Sequence, residues 1–296
     1  KIIDKYGFLR EGSSTYQLLV TRWLLEIRML ALELDDKELF NIVQGFIPDM
    51  LDACNLLMVK GIDGELKMPT IGDVSPDCNP QWLINLLGSP LAGSNKSFNN
   101  TEGWASLFAD FKDNKCLYEL KTEWPDSEDS SWIRLDYKNW TAILHVEESS
   151  GDTIASHAHH DFSSFVLYLN GKEIVIDPGR FSYDNDTLSL HGLKACSHNT
   201  IQLNGFPPTL SKRDKLLPRA YKEFSHSIEL IKSIENLKFT IKHNGFSRLS
   251  NKPIEHSREF LFSHDSLEIH DYIRGKGVYF FESFFQWPKK SLHNEE

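Results

Sequence analysis

SHAHHDFSSFVLYLNGKEIVIDPG, residues 156–179, is the stretch that decides how this chain is read. Its second half outlines a β-hairpin. Two runs rich in β-branched and aromatic residues flank Asn170 and Gly171, a pair suited to the positive φ values of a type I′ turn. Its first half sets three histidines, His157, His159 and His160, within four positions ahead of that hairpin. Side chains alternate along an extended segment, so His157, His159 and Asp161 face one way and His160 the other. Two imidazoles on one face can share a metal, or divide metal binding from acid–base chemistry.

Asp177 is a candidate third ligand because it ends the second strand of the hairpin. With Asn170 and Gly171 as the turn, Asp177 lies opposite Ser164, and His159 sits further out by about 17 Å along a straight strand. A shared metal therefore requires the chain between His159 and Ser163 to bend back. His198, in SHNTIQLNG, opens another strand and offers a further contact. The same histidines also fit a plainer reading, as surface residues or as core residues satisfied by hydrogen bonds.

Away from this stretch the chain divides by period. STYQLLVTRWLLEIRMLALEL (14–34) predicts a helix, with Thr15, Arg22, Glu26 and Glu33 as a narrow polar stripe and Ser13 or Ser14 as its cap. So apolar a rod calls for burial on most sides, as in a multi-helix assembly. A second helical stretch runs from about Asp36 to Met58, bent or broken at Pro48. Residues 61–80, rich in Gly, Pro and Asp, read as a long loop, followed by short helical pieces near 82–87 and 103–111. From Leu117 the pattern changes to short strand-like runs separated by turn signals: CLYELKTEW, SWIRLDYKNWTAILHVEE, the hairpin, NTIQLNG and DSLEIHDYI. The expected fold class is multidomain α+β, with helices over 1–110 and an antiparallel β-sandwich over 111–296, the boundary falling at about 105–115.

The net charge of −10 argues against a general nucleic-acid binder and weighs against a heavily sulfated polyanion as substrate. Cys54, Cys78, Cys116 and Cys196 show neither zinc-knuckle spacing nor a disulfide framework. No apolar run approaches the roughly 20 residues that cross a bilayer. The opening KIIDKYGFLREGSS is neither an initiator methionine nor a signal peptide, and reads as the middle of a longer chain.

Taken together, SHAHHDFSSF (156–165), VIDPG (175–179), HNT (198–200) and the upstream REGSSTY (10–16) resemble the heparinase II/III-like polysaccharide lyases, alginate-lyase relatives included. The family pattern is a GHGHxDxxSF-type segment, a strand ending in DPG, an HNT segment and an upstream EGSxxY segment, and all occur here in that order. The resemblance implies an (α/α) toroid, of which this chain carries the C-terminal part, followed by the β-sandwich. It assigns His159, Asp177 and His198 to a divalent metal, usually zinc, that organises structure rather than activating water. It assigns His157 to the catalytic cleft and Tyr16 to proton donation, and often proton removal. Ser156 and Ala158 stand where the family has glycines, and Lys194 stands near the place of an arginine ahead of HNT. The Asn or His that neutralises the substrate carboxylate belongs, by the resemblance, to earlier toroid helices outside this chain. FFESFFQWPKKSLHNEE is expected to stop partway through the sandwich.

The chemistry so implied is β-elimination beside a uronic acid: removal of the proton at C5, then breakage of the bond to O4. A tyrosine, with a pKa of ~10, suits the acid role and needs a neighbouring positive charge to serve as base. His157 or Arg22 are candidates for that charge. Tyr183, shortly after DPG, is a candidate second cleft tyrosine and Arg22 a candidate substrate contact. Asp73 and Asp77 read as cleft-lining or turn residues and stay outside the catalytic set. The expected partner is a uronic-acid polysaccharide, alginate-like or capsule-like rather than heparin, and the expected location is periplasmic or extracellular. Two other classes fit the same residues: a non-catalytic carbohydrate-binding protein that keeps the fold and metal, and a metal-dependent hydrolase with an activated water.

Overall fold

The structure is a computed structural model that describes residues 2–64, 66–74, 130–147, 157–180, 182–184, 186–210 and 224–289. Helix α1 spans Ser14–Glu33, and the Ser13 side chain accepts a hydrogen bond from the Tyr16 N–H as its cap. Helices α2 (Lys37–Gln44) and α3 (Ile47–Leu57) follow. The break between them falls at Gly45 and Phe46, not at Pro48. Pro48 lies in the first turn of α3, where its missing N–H has no helical partner to lose.

The polar stripe expected on α1 is only partly a solvent face. Thr15 is buried, and so are Ser14, Gln17, Thr21 and Arg28. Each of those four has its bond: Ser14 to the Pro69 carbonyl, Gln17 to the Leu9 N–H and the Gly7 carbonyl, Thr21 to the Gln17 carbonyl, Arg28 to Gln44. The exposed face instead carries Trp23, Ile27, Leu30 and Leu34.

After α3 the chain forms a small ribbon, β1 (Val59–Lys60) with β2 (Leu66–Lys67), the second strand falling inside the stretch expected to be loop. Four strands make the first large sheet: β3 (Trp132–Tyr137), β4 (Trp140–His145), β5 (Phe165–Leu169) and β6 (Lys172–Val175), antiparallel in that order. Asn170 and Gly171 both have positive φ, as the hairpin reading requires. A bulge between Leu167 and Tyr168 shifts the register to Leu167 opposite Val175. That slip moves Asp177 one place from the partner expected by simple pairing. A short helix α4 (Thr187–Gly192) precedes β7 (Ile201–Leu203). The second large sheet is β8 (His226–Lys232), β9 (Leu237–His243), β10 (Glu255–Phe262) and β11 (Leu267–Arg274), in the order β11-β10-β9-β8, while β12 (Phe281–Ser283) pairs with β7.

The two large sheets share one core. Ile133, Leu135, Leu144, Phe165 and Leu167 from the first meet Phe239, Ile241, Phe260 and Phe262 from the second. The opposite face of the first sheet is covered too: Trp132, Ile143, Val166 and Tyr168 pack on Phe8, Ala53, Leu56 and Leu57. Burial on both faces explains why FVLYL is an unbroken apolar run instead of an alternating one. Arg134 fastens the layers by donating to the Leu56 and Met58 carbonyls at the end of α3. The expected boundary at 105–115, the helical pieces at 82–87 and 103–111, Asp77, and the run CLYELKTEW lie outside the described residues.

Candidate active site

The segment ahead of β5 bends as a shared site requires. Ser163 has φ of 62°, the Ser164 N–H donates to the Asp161 carbonyl, and the Ser163 N–H donates back to the His145 carbonyl. His157 and His159 therefore face the start of α1 and the loop that follows β2. Three backbones converge there. A side chain on Gly72 (φ 74°) would run into the Gly12 carbonyl, and one on Gly12 (φ 71°) would meet the Ala158 methyl.

His157 stacks on Tyr16, with ring centroids 3.7 Å apart and planes 12° from parallel. Its Nδ1 donates to Asp73 at 3.2 Å, and its Nε2 lies 3.1 Å from a Glu11 oxygen. The Tyr16 hydroxyl is 3.2 Å from the Tyr183 hydroxyl. Arg180 lies over the Tyr183 ring at 4.4 Å and donates to Asp73 at 3.1 Å. Partial burial and the bond to Tyr16 push the Tyr183 hydroxyl pKa up. Tyr16, His157 and Tyr183 are thus one cluster. Arg22 is elsewhere, further along α1, paired with Glu26 at 2.6 Å. His160 points away from the cluster, as alternation demands, and donates to the Thr209 carbonyl.

The three residues assigned to a metal also gather. His159 and His198 are fully buried with ring centroids 5.1 Å apart. His159 donates from Nε2 to Asp73 at 2.9 Å, which leaves its Nδ1 lone pair buried and unengaged. His198 donates from Nδ1 to Asp177 at 2.8 Å, which leaves its Nε2 in the same condition. Each imidazole is therefore braced by a carboxylate on one nitrogen and open on the other, the arrangement that metal-binding histidines adopt. One Asp161 oxygen is likewise buried and unengaged. The two histidines fit a divalent metal. Asp177 here braces His198 and caps the Gly179 N–H. Among the described residues no group of three or more His, Cys, Asp or Glu side chains is placed to hold a metal ion. Burial lowers the His159 pKa. For His198 burial acts the same way and is the largest single influence, but the charge and hydrogen bond of Asp177, the Asp161 charge and a backbone bond to Gly192 together outweigh it and the pKa rises.

Three further participants stand outside the residues singled out for catalysis or metal. Asp73, which the sequence offers as a cleft-lining or turn residue, is buried and binds both histidines and Arg180. Arg180 follows DPG directly, and Glu11 sits inside REGSSTY. Only their positions in or directly after the motifs mark them, since neither composition nor periodicity singles out one arginine or one glutamate.

HNT is held by its asparagine. The Asn199 amide donates to the Phe165 and Ile176 carbonyls, and its oxygen accepts the Gln286 N–H. From the second sheet the buried Arg258 donates to the Asn199 carbonyl at 2.7 Å while paired with Asp271. His198 is thereby fixed between the two sheets.

No helix among the described residues is long and apolar enough to cross a membrane. No curated protein matches this sequence. Among solved structures, the chain is similar to heparan sulfate lyase HepC from Pedobacter heparinus, with a TM-score of 0.62 and 16% identity, over 93% of this chain and 40% of that one. It is similar to a heparinase III gene product with a TM-score of 0.65 and 15% identity, over 97% of this chain and 41% of that one. A further heparinase III structure matches with a TM-score of 0.58 at 11% identity, over 93% of this chain and 41% of that one. The chain thus spans about 40% of the length of the structures it matches, and at such identities the likeness is one of fold. The family model described as Heparinase II/III-like, C-terminal, matches residues 121–288, more than half of the sequence, and the chain belongs to that family.

Proposed function

We propose that this chain is part of a polysaccharide lyase that cleaves a uronic-acid-containing glycan by β-elimination. The observation that carries the reading is the stack of Tyr16 on His157, with the Tyr16 hydroxyl 3.2 Å from that of Tyr183. A phenol so placed offers a proton to a leaving oxygen. In the reaction the C5 proton goes to a base, the freed electron pair forms the C4–C5 double bond, and the C4–O4 bond breaks. Tyr16 supplies the proton that O4 takes up, and serves as base where the same hydroxyl reaches C5. His157 holds Tyr16 by its ring face. Arg180 brings a guanidinium to the Tyr183 side of the cluster.

A divalent metal, zinc by the family resemblance, is proposed to be held by His159 and His198 through their open nitrogens, with Asp177, the third residue of that resemblance, turning from His198 to join them. It would cross-link the histidine segment, the DPG turn and HNT, and no chemical step is assigned to it. Helices α1 to α3 are proposed as the closing part of an α/α toroid. The exposed stripe of Trp23, Ile27 and Leu30 on α1, continued by Leu34 at its C-cap, supports this, because such a face is normally covered by further helices. An alginate-like or capsule-like uronan suits the net charge of −10 better than a sulfated chain, and a periplasmic or extracellular location suits a polysaccharide substrate.

Mass spectrometry of products from a panel of uronic-acid polysaccharides tests the reading. Elimination yields fragments lighter by one water at the new non-reducing end than hydrolysis does. Fragments of hydrolytic mass would transfer the site to the hydrolase class. Binding without fragments would transfer it to carbohydrate recognition.

A further inference from the structure

We infer that Asp73 is the positioning residue of this site, a role that rests on the lyase reading for its catalytic consequence but not for its geometry. Asp73 is 1% exposed. Its Oδ2 accepts from His157 Nδ1 at 3.2 Å, and its Oδ1 accepts from His159 Nε2 at 2.9 Å. Arg180 donates to both oxygens, at 3.1 and 3.3 Å. The backbone is fixed as well: the Asp73 N–H donates to the His157 carbonyl at 2.9 Å, and its carbonyl accepts the Ser13 hydroxyl. One residue is thus bound to the cap of α1, to both inward-facing histidines and to the arginine after DPG.

The consequence is a division of labour between two imidazoles two positions apart. By occupying His159 Nε2, Asp73 leaves Nδ1 as that ring's only open nitrogen. By occupying His157 Nδ1, it turns the ring so that its face lies on Tyr16 and its Nε2 on Glu11. A carboxylate that sets imidazole tautomer and orientation is a familiar catalytic support, and its loss is expensive even where the fold survives. Asp73 touches no reacting atom in this role; it acts through His157 and His159. Its place is set by Gly72, where only a residue without a side chain lets the loop pass between Gly12 and the His157 carbonyl.

The test is Asp73→Asn in the intact gene product, read three ways: thermal midpoint, imidazole 15N shifts of His157 and His159, and the separate kcat and KM of elimination. Expected are a folded protein, shifted 15N signals for both histidines, and a kcat lower by ~100-fold or more with KM within about threefold. Unchanged imidazole signals overturn the inference, as does a kcat within about threefold of wild type or a loss carried by KM alone. Should Asp73→Asn fail to fold, the same three readings on Asp73→Asn with Arg180→Gln, compared with Arg180→Gln alone, remove the unpaired buried charge and keep the question. Recovery of full kcat in that double variant would show that Asp73 only neutralises Arg180, and would overturn the inference. Absence of elimination by the wild-type protein on every uronan defeats the lyase reading separately, and the imidazole signals still decide whether Asp73 sets the histidines.

Discussion

Tyr16 and His157 lie face to face, ring centroids 3.7 Å apart, although 141 positions separate them in the chain. The stack joins the first turn of α1 to the histidine segment, so the proposed proton donor is carried by one layer of the fold and its support by another. Activity then depends on how firmly the two layers are docked.

Docking is tight at Gly72. Gly72→Ala should destabilise the protein by roughly 1–3 kcal/mol from backbone strain alone, with more from collision with the Gly12 carbonyl. Chemical denaturation measures it, and a change under about 0.5 kcal/mol would mean the loop has room to move.

His157 and His159 should separate cleanly on replacement. His159→Ala should lose bound metal and several degrees of thermal midpoint, whereas His157→Ala should keep metal content and lose elimination activity. Metal analysis of the purified variants with a melting curve decides it. Equal metal content in both would remove His159 from the ligand set.

Arg258 anchors HNT from the opposite sheet, bound to Asp271 and to the Asn199 carbonyl. Arg258→Met leaves the partly buried Asp271 beside His256 without its guanidinium. A loss of roughly 3–5 kcal/mol is expected in an unfolding titration. A loss below about 1 kcal/mol would show that Asn199 is held by its amide bonds alone.

A pH dependence follows from His243 and His256. The Gly245 N–H donates to His243 Nδ1, His243 Nε2 donates to His256 Nδ1 at 2.8 Å, and His256 Nε2 donates to Asp271 at 2.8 Å. The chain is complete with both rings neutral, and a further proton has no acceptor. Burial lowers both pKa values below 6.5, and for His243 the charges of His256, His226, Arg258 and Arg248 add to the shift. The unfolded chain therefore binds more protons below pH ~6.5, and this contribution to stability is full above that pH and lost as pH falls. His145 has the opposite sign. Burial opposes its charge, but the charge and hydrogen bond of Asp161, with the charges of Glu147 and Asp177, together outweigh burial and raise its pKa, so its contribution is lost as pH rises. Comparing wild type with His243→Gln isolates the acid-side loss. The variant should show a shallower fall in urea midpoint between pH 7 and 5, and parallel curves would contradict it.

Much of this was legible in the sequence because it is local. The cap of α1, the hairpin at Asn170 and Gly171 and the alternation of His157, His159 and His160 each depend on neighbours within a few residues. What the sequence concealed is non-local. The bulge after Leu167 shifts Asp177, the bend at Ser163 turns the histidine segment back toward His198, and no straight-strand argument yields either. The break before α3 went to Gly45 because a proline in a first turn costs a helix little. Asp73 could be read as cleft-lining or as a turn residue, because an aspartate after glycine in a Gly- and Pro-rich stretch suits either. Its role appears only when segments from four parts of the chain meet around it.

The most direct measurement is ultraviolet absorbance during incubation of the intact gene product, wild type and Tyr16→Phe, with a panel of uronic-acid polysaccharides. Elimination creates a C4–C5 double bond conjugated with the carboxylate, which hydrolysis does not. The expected result is a rise on at least one substrate that falls by ~100-fold or more in Tyr16→Phe while the melting curve is unchanged. A rise that survives Tyr16→Phe at full rate would contradict the role given to Tyr16, and no rise on any uronan would contradict the lyase itself.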